Sequence, residues 1–208
     1  MTNSRLRVSL SAIVAVQLLL ACHAVAADQM ILGKKFYLAI FASSLADPLN
    51  AKLTVSAKEL TSPNTIVGDP VANGGFLRAI VSNGSDTDDQ TFAMPAVGWT
   101  VLGTKGFKYT DPAAGGDTNP VYKAIIKRSA SGTFAIKVLL RRTVFVGGLD
   151  LQPFANPTTA GIILTLSGGD NYCVEFAGVG GTVSHNSGSH GADFLRIVRP
   201  TAEACPQP

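Results

Sequence analysis

The sequence predicts an all-β fold, an antiparallel β-sandwich of about ten to twelve strands, with a β-barrel as the alternative. Apolar and polar residues alternate along several segments, as in strands with one buried face. Turn residues separate these segments about every 8–15 residues. All 21 Gly and 11 Pro lie after residue 30, a density too high for a helical bundle. Helix is therefore expected only in the N-terminal segment.

The alternation is clearest in four segments in which every second residue is apolar. These segments are 53–57, 122–126, 134–140 and 162–166. The run 36–41 is apolar throughout, which predicts a strand buried on both faces. In segment 171–176, Cys173 and Glu175 lie between apolar residues, so they should point away from the core. Glycine-containing turns lie between the predicted strands, at 73–75, 83–85, 115–117, 147–148 and 168–170.

Residues 1–27 have the pattern of a secretory signal peptide. Arg5 and Arg7 precede an apolar stretch of about 14 residues, which is too short to span a bilayer comfortably. Small residues follow at 24–27, so cleavage is expected before Asp28. Residues 28–208 then form a single β-sandwich domain, with a split inside the segment 111–120 as the alternative.

The same N-terminal segment supports a second interpretation, because 19–22 resembles a bacterial lipobox that ends in Cys22. In that case Cys22 is lipidated and the chain is a membrane-tethered lipoprotein. Otherwise it is released into the periplasm or the extracellular space. Both routes predict export, and no later apolar run is long enough for a transmembrane helix.

Export permits disulfides, and removal or lipidation of Cys22 leaves only Cys173 and Cys205 to pair. Cys205 belongs to a proline-rich C-terminal tail. The predicted bridge pins this tail to the outer face of the sheet, and on the chain-entropy model it stabilises the fold by about 3–4 kcal/mol.

The charge balance gives no electrostatic reason to expect a nucleic-acid partner. Of the 17 basic residues, Arg5 and Arg7 fall in the signal segment, which leaves 15 against 14 acidic residues and a net charge of +1. Short basic pairs are interpreted as solvated faces or as protection of sheet edges against aggregation. They are Lys34-Lys35, Lys127-Arg128 and Arg141-Arg142.

An acidic cluster, Asp86, Asp88 and Asp89, is a candidate calcium site because alternate carboxylates can surround the ion with oxygen ligands. The spacing is not that of an EF-hand, and the alternative is a solvated hairpin loop. Apart from a metal ion at this cluster or at the histidines described next, no cofactor is expected.

His185, His190 and Asp193 are a second candidate metal site, because two imidazoles and a carboxylate can bind zinc or copper. The surrounding Gly and Ser residues favour a flexible surface loop instead, since such a backbone does not hold ligands in place.

Trp99, Phe107 and Tyr109 are candidate sugar-stacking residues, as aromatic rings on an exposed sheet can bind glycans. The alternative is that they belong to the core, where a lone Trp of a β protein is more often found.

The order of several short motifs resembles an uncharacterised group of exported β-rich bacterial proteins. The motifs are 31–35, 68–70 followed by 74–75, 94–99, 106–111, Tyr172-Cys173 and Cys205-Pro206. The resemblance spans nearly the whole predicted mature chain. It implies a bacterial envelope setting and carries no activity.

The motifs of common catalytic sites are weak or missing, so the sequence favours a non-enzymatic exported module with a structural or ligand-binding role. No Gly-x-Ser-x-Gly turn is present. The alternative is a carbohydrate-binding or glycan-acting sandwich with a cell-surface or glycan ligand.

Overall fold

The computed structural model describes residues 26–41, 50–111, 119–142, 149, 151, 157–176, 182–187, 192–198 and 205. These residues form thirteen strands, one short helix and two 3₁₀ turns. The strands are β1 Asp28–Met30, β2 Gly33–Phe41, β3 Asn50–Glu59, β4 Gly75–Ser82, β5 Thr87–Met94, β6 Trp99–Val101, β7 Gly106–Thr110, β8 Val121–Arg128, β9 Phe134–Arg142, β10 Thr159–Leu166, β11 Asn171–Phe176, β12 Thr182–Ser187 and β13 Ala192–Val198. The helix is α1 Pro70–Asn73, and the turns are Ala96–Gly98 and Gly103–Lys105.

The strands form two open sheets that pack face to face, which confirms the predicted β-sandwich. The smaller sheet has five strands in the order β1-β11-β10-β4-β5, and the larger has eight in the order β12-β13-β2-β3-β9-β8-β7-β6. Among the described strands, the two edges of each sheet do not pair with each other, so neither sheet closes into a barrel.

Two details differ from the predicted architecture. The sandwich is not wholly antiparallel, because β1 pairs in parallel with β11. Helix is also not confined to the N-terminal segment: α1 is one turn long, begins with Pro70, and has Asp69 as its N-cap. The Asp69 carboxylate accepts a hydrogen bond from the Ala72 amide at 3.1 Å. Proline at a first helical position and aspartate before it are the residues that favour a helix start.

The core lies between the two sheets and is built from the apolar positions of the alternating strands. Aromatic rings bridge the layers: Phe36 of β2 lies 5.6 Å from Phe176 of β11, and Phe134 of β9 stacks on Tyr172 at 5.7 Å between ring centroids. The predicted inward residues of β3, β9 and β10 are buried.

One predicted strand departs from simple alternation. A bulge between Val121 and Lys123 shifts the pairing of β8 with β9. Val121 is therefore fully buried while Tyr122 is only partly covered, although alternation alone predicts an inward Tyr122. In β2, Ala39 is buried on the outer side as well, as the apolar run 36–41 predicts.

A buried polar network fastens the start of the described chain to the smaller sheet. Gln29 donates its side-chain amide to Asp170, whose other oxygen accepts the Ala27 amide at 3.0 Å. The Tyr172 hydroxyl accepts the Val67 amide at 2.7 Å. Burial is the main cause that raises the pKa of Tyr172 from 10.0 to about 12.

Cys173 and Cys205 form the predicted disulfide, with their Cα atoms 5.0 Å apart. Cys173 is fully buried although it lies on the outer side of β11. The bridge attaches Cys205 to the outer side of β11, as predicted for the tail. Cys205 is the only tail residue that the structure describes. Residues 1–25, which include Cys22 and most of the predicted signal segment, lie outside the described residues. Among the described helices, none has the length and apolar character that a bilayer crossing requires.

Candidate anion-binding face

The outer face of the larger sheet carries eight cationic side chains, which we call the basic face. They come from five neighbouring strands, β2, β3, β9, β8 and β7. The members are Lys35, Lys52, Lys58, Lys108, Lys123, Lys127, Lys137 and Arg141. Strand register brings them together, since residues opposite one another in a sheet share a face.

The basic face arises from the alternation of apolar and polar residues along each strand. Each strand turns its apolar residues to the core, so the intervening positions must face solvent, and in these five strands many of those positions are Lys or Arg. The pairing even sets Lys52 of β3 directly opposite Arg141 of β9. Like charges in this position destabilise a sheet, so this arrangement has a cost that folding alone does not explain.

None of the eight cations forms a salt bridge with another described residue. Two are held over aromatic rings instead. Lys35 lies 4.8 Å from the ring centre of Tyr37, and Arg141 lies 4.8 Å from that of Tyr122. The face therefore presents positive charge that no described carboxylate neutralises.

A cavity of about 750 Å³, the cationic groove, lies at one end of the basic face. None of the described residues that line it is acidic. The cations that line it are Lys34, Lys58, Lys105, Lys127, Arg128 and Lys137. Hydroxyl groups line it as well, from Thr54, Ser56, Ser129, Ser131 and Thr133. Ammonium, guanidinium and hydroxyl donors together suit a ligand with several oxyanion groups.

A second cavity of about 460 Å³, the apolar cavity, adjoins this groove. Its apolar lining comes mainly from Ile66, Val101 and Phe107. Lys105, Arg128 and Ser129 line both cavities, so the two spaces share a wall.

The outer face of the smaller sheet has the opposite character. Its strands carry Asp28, Asp89 and Glu175 against one cation, Arg78. Arg78 forms a salt bridge with Asp89, and Asp28 accepts a hydrogen bond from Asn171 at 2.9 Å. Glu175 also has an interaction partner. The charged groups of this face therefore each have an interaction partner.

The structure buries two of the three candidate sugar-stacking residues. Trp99 is 3% exposed and Tyr109 is 1% exposed, and their rings pack on each other at 5.4 Å. Gly98 packs flat on the Tyr109 ring, where a β-carbon would collide. Burial, and secondarily Asp111, raises the pKa of Tyr109 to about 12. These rings are core residues and offer no face to a sugar; Phe107 is half-buried.

The candidate calcium residues do not converge. Asp86 lies in the β4–β5 turn, where Asn83 accepts its backbone amide at 2.7 Å and donates to its carboxylate. Asp88 and Asp89 are consecutive on β5 and so face opposite sides of the sheet. Among the described residues, the one group with metal-ligand spacing is Asp28, Cys173 and Cys205, whose sulfurs already form the disulfide.

The histidine segment is less loop-like than its composition predicts. His185 belongs to β12, opposite Leu195, and Asp193 is the second residue of β13, opposite Ser187. The side chains of these residues, and all of His190, lie outside the described part of the chain. The zinc or copper site stays a prediction.

The sequence interpretation did not identify the basic face. The near-neutral net charge obscured it, and the basic pairs were assigned to solvated faces or edges. In the structure Lys35, Lys127 and Arg141 lie on β2, β8 and β9, which are interior strands with a partner on each side. The usable signal was the outward positions of the alternating segments, where lysines recur.

No family model matches this chain, and neither the curated proteins nor the solved structures give a match. The resemblance to exported β-rich bacterial proteins therefore stays a prediction.

Proposed function

We propose that this chain is an exported, non-enzymatic β module that binds an anionic ligand on its basic face. The observation that carries the proposal is the concentration of eight cations on one side of one sheet, with no described carboxylate among them. Opposite charge would attract the ligand over a distance, and the ammonium and guanidinium groups would then bind its oxyanions directly.

Two arguments favour a binding role over a structural one. Grouped like charges destabilise a fold by mutual repulsion, so a purely structural sheet would gain by spacing them or pairing them. The groove also combines cations with five hydroxyl-bearing residues, which add directional hydrogen bonds to the charge attraction.

Export is part of the proposal and rests on the N-terminal pattern together with the disulfide. A bridge between Cys173 and Cys205 persists in an oxidising compartment, as the periplasm and the extracellular space are. The carbohydrate alternative is narrowed to acidic glycans, because the candidate rings Trp99 and Tyr109 are buried and the basic face offers positive charge.

Heparin-affinity chromatography tests the proposal, with heparin as a sulfated polyanion. Lys123→Gln with Lys137→Gln removes two charges from β8 and β9, and we expect elution at clearly lower NaCl concentration. The matched control is Thr91→Glu with Ala93→Glu, which makes the same change in net charge at exposed positions of β5. We expect the control to elute close to the unaltered protein.

An equal loss of retention in both variants would overturn the proposal, because net charge alone would then explain binding. So would a wild-type protein that heparin does not retain at low salt. Thermal unfolding of all variants checks that the fold is kept.

A further inference from the structure

The apolar cavity and the cationic groove meet at one wall, and their chemistry is complementary. Cavities of about 300–1,000 Å³ are the usual size of small-molecule sites. The apolar cavity, at about 460 Å³, falls in this range and is placed beside a dense positive charge.

The apolar wall is built by three segments that meet at the start of β7. Gly106 has a φ of +137°, and a β-carbon there would collide with the Ile126 carbonyl oxygen and crowd Ile66. Glycine thus lets β7 start close against β8, and this brings Phe107 opposite Val101 of β6. Val101 is 57% exposed, so its side chain is accessible to a ligand in the cavity.

Arg128 stands where the two cavities join. Its Nη2 donates to the Ser62 carbonyl oxygen at 3.5 Å, which orients the guanidinium. Its Nε is buried and has no hydrogen-bond partner among the described residues. Arg128 lines both cavities, so the accessible part of its guanidinium can donate to an oxyanion placed at the junction. Lys105 and Ser129 offer further donors at the same wall.

We propose that this junction binds an amphipathic anion, a molecule whose phosphate-type head lies against Arg128, Lys105 and Ser129 and whose aliphatic tail fills the apolar cavity. This inference rests on the proposed anion-binding function and names the chemical class of one ligand. Soluble alkyl phosphates and anionic lipids share that chemistry.

Isothermal titration calorimetry with inorganic phosphate, butyl phosphate and octyl phosphate tests it. Burial of one methylene group strengthens binding about fourfold, so affinity should rise with chain length until the tail outgrows the cavity. We expect octyl phosphate to bind at least about tenfold more tightly than inorganic phosphate, which corresponds to about two buried methylenes.

Two variants locate the site. Val101→Asp should erase the gain from the alkyl chain, because a carboxylate at an exposed wall position repels the head and wets the cavity. Arg128→Met keeps most of the aliphatic stem and should weaken all three ligands. The matched control is Arg78→Gln on the smaller sheet, which also removes one positive charge but lines neither cavity; it should keep the tenfold difference.

Equal affinity for inorganic phosphate and octyl phosphate would overturn this inference. The proposed anion-binding function would still stand in that case if heparin retained the protein. A chain-length gain that survives Val101→Asp would overturn the inference as well. Flotation with phosphatidylglycerol vesicles distinguishes a membrane lipid from a soluble ligand. Binding to vesicles that octyl phosphate displaces indicates a lipid. Binding of octyl phosphate without binding to vesicles indicates a soluble ligand. Either result supports the amphipathic chemistry.

Discussion

The outer faces of the two sheets differ although both sheets cover the same core. On the smaller sheet, Arg78 is paired with Asp89, and Cys173 holds the tail covalently. On the larger sheet, eight cations lie together without a described carboxylate partner. On the smaller sheet, the salt bridge and the disulfide-linked tail stabilise the fold. On the larger sheet, the grouped cations repel one another, which the fold itself does not require.

Under the proposed function, the difference has a physical reason: the outer face of the smaller sheet is arranged for stability, and the basic face is arranged to bind a ligand. Proteins tolerate local instability where function depends on it. Changes on the smaller sheet should therefore lower stability and leave binding intact, and changes on the basic face should do the reverse.

The largest expected effect is loss of the disulfide. Cys205→Ser together with Cys173→Ser should lower the free energy of unfolding by about 3–4 kcal/mol, because the 32-residue separation is no longer closed in the unfolded chain. Urea unfolding measures this change. Heparin retention of the folded variant should stay at the wild-type value, and its loss would break the proposed division between the faces.

Alkaline pH should lower the free energy of unfolding, and both sheets should contribute to this effect because each has one buried tyrosine. The folded-state pKa values of Tyr109 and Tyr172 are raised to about 12, so the unfolded chain loses these protons first, near pH 10. Between pH 10 and 12 the folded state thus binds more protons, and the free energy of unfolding must fall as pH rises. Urea unfolding at pH 9 and pH 11 measures the fall.

Tyr172→Phe and Tyr109→Phe are the controls for this pH effect. Each should make stability less dependent on pH over that interval, whatever it does to stability at neutral pH. A fall that both variants retain in full would assign the alkaline sensitivity to other groups.

Replacement of Lys52 should act in the opposite sense on stability and on binding. Lys52→Thr removes the repulsion from Arg141 across β3 and β9, so we expect stabilisation of about 0.2–1 kcal/mol. Heparin elution should shift to lower salt. A destabilised variant with unchanged retention would show that Lys52 has a structural role and would remove it from the basic face.

The smallest effect is expected at the ion pair of the smaller sheet. Arg78→Gln breaks a partly exposed salt bridge with Asp89, and such pairs contribute from nothing measurable to about 1 kcal/mol. Thermal unfolding should detect a small decrease in melting temperature, with heparin elution nearly unchanged. A loss of retention as large as that from Lys52→Thr would mean that the two faces do not differ in function.

The sequence predicted what depends on local pattern or on simple counting. Alternation identified the buried residues of β3, β9 and β10, and two remaining cysteines allowed only one bridge, Cys173 to Cys205. The parallel pairing of β1 with β11 was missed, because a three-residue strand carries no pattern and its partner lies about 140 residues away along the chain.

The basic face was missed for a related reason. Lysines at 52, 123 and 137 are far apart in the sequence, and only the strand order β3-β9-β8 makes them neighbours. Strand order and register depend on long-range packing, which a sequence-local period does not encode. Net charge averages the two faces, so a value near zero is compatible with strong separation of charge.

The most direct test is to map where a polyanion binds on the folded protein. Amide chemical shifts of the ¹⁵N-labelled protein should be followed during titration with a short heparin oligosaccharide. If the basic face binds the polyanion, the largest changes will occur at β3, β8 and β9, around Lys52, Lys123 and Lys137, with little change in β4 and β10. Changes centred on the smaller sheet, or spread evenly over both sheets, would contradict it.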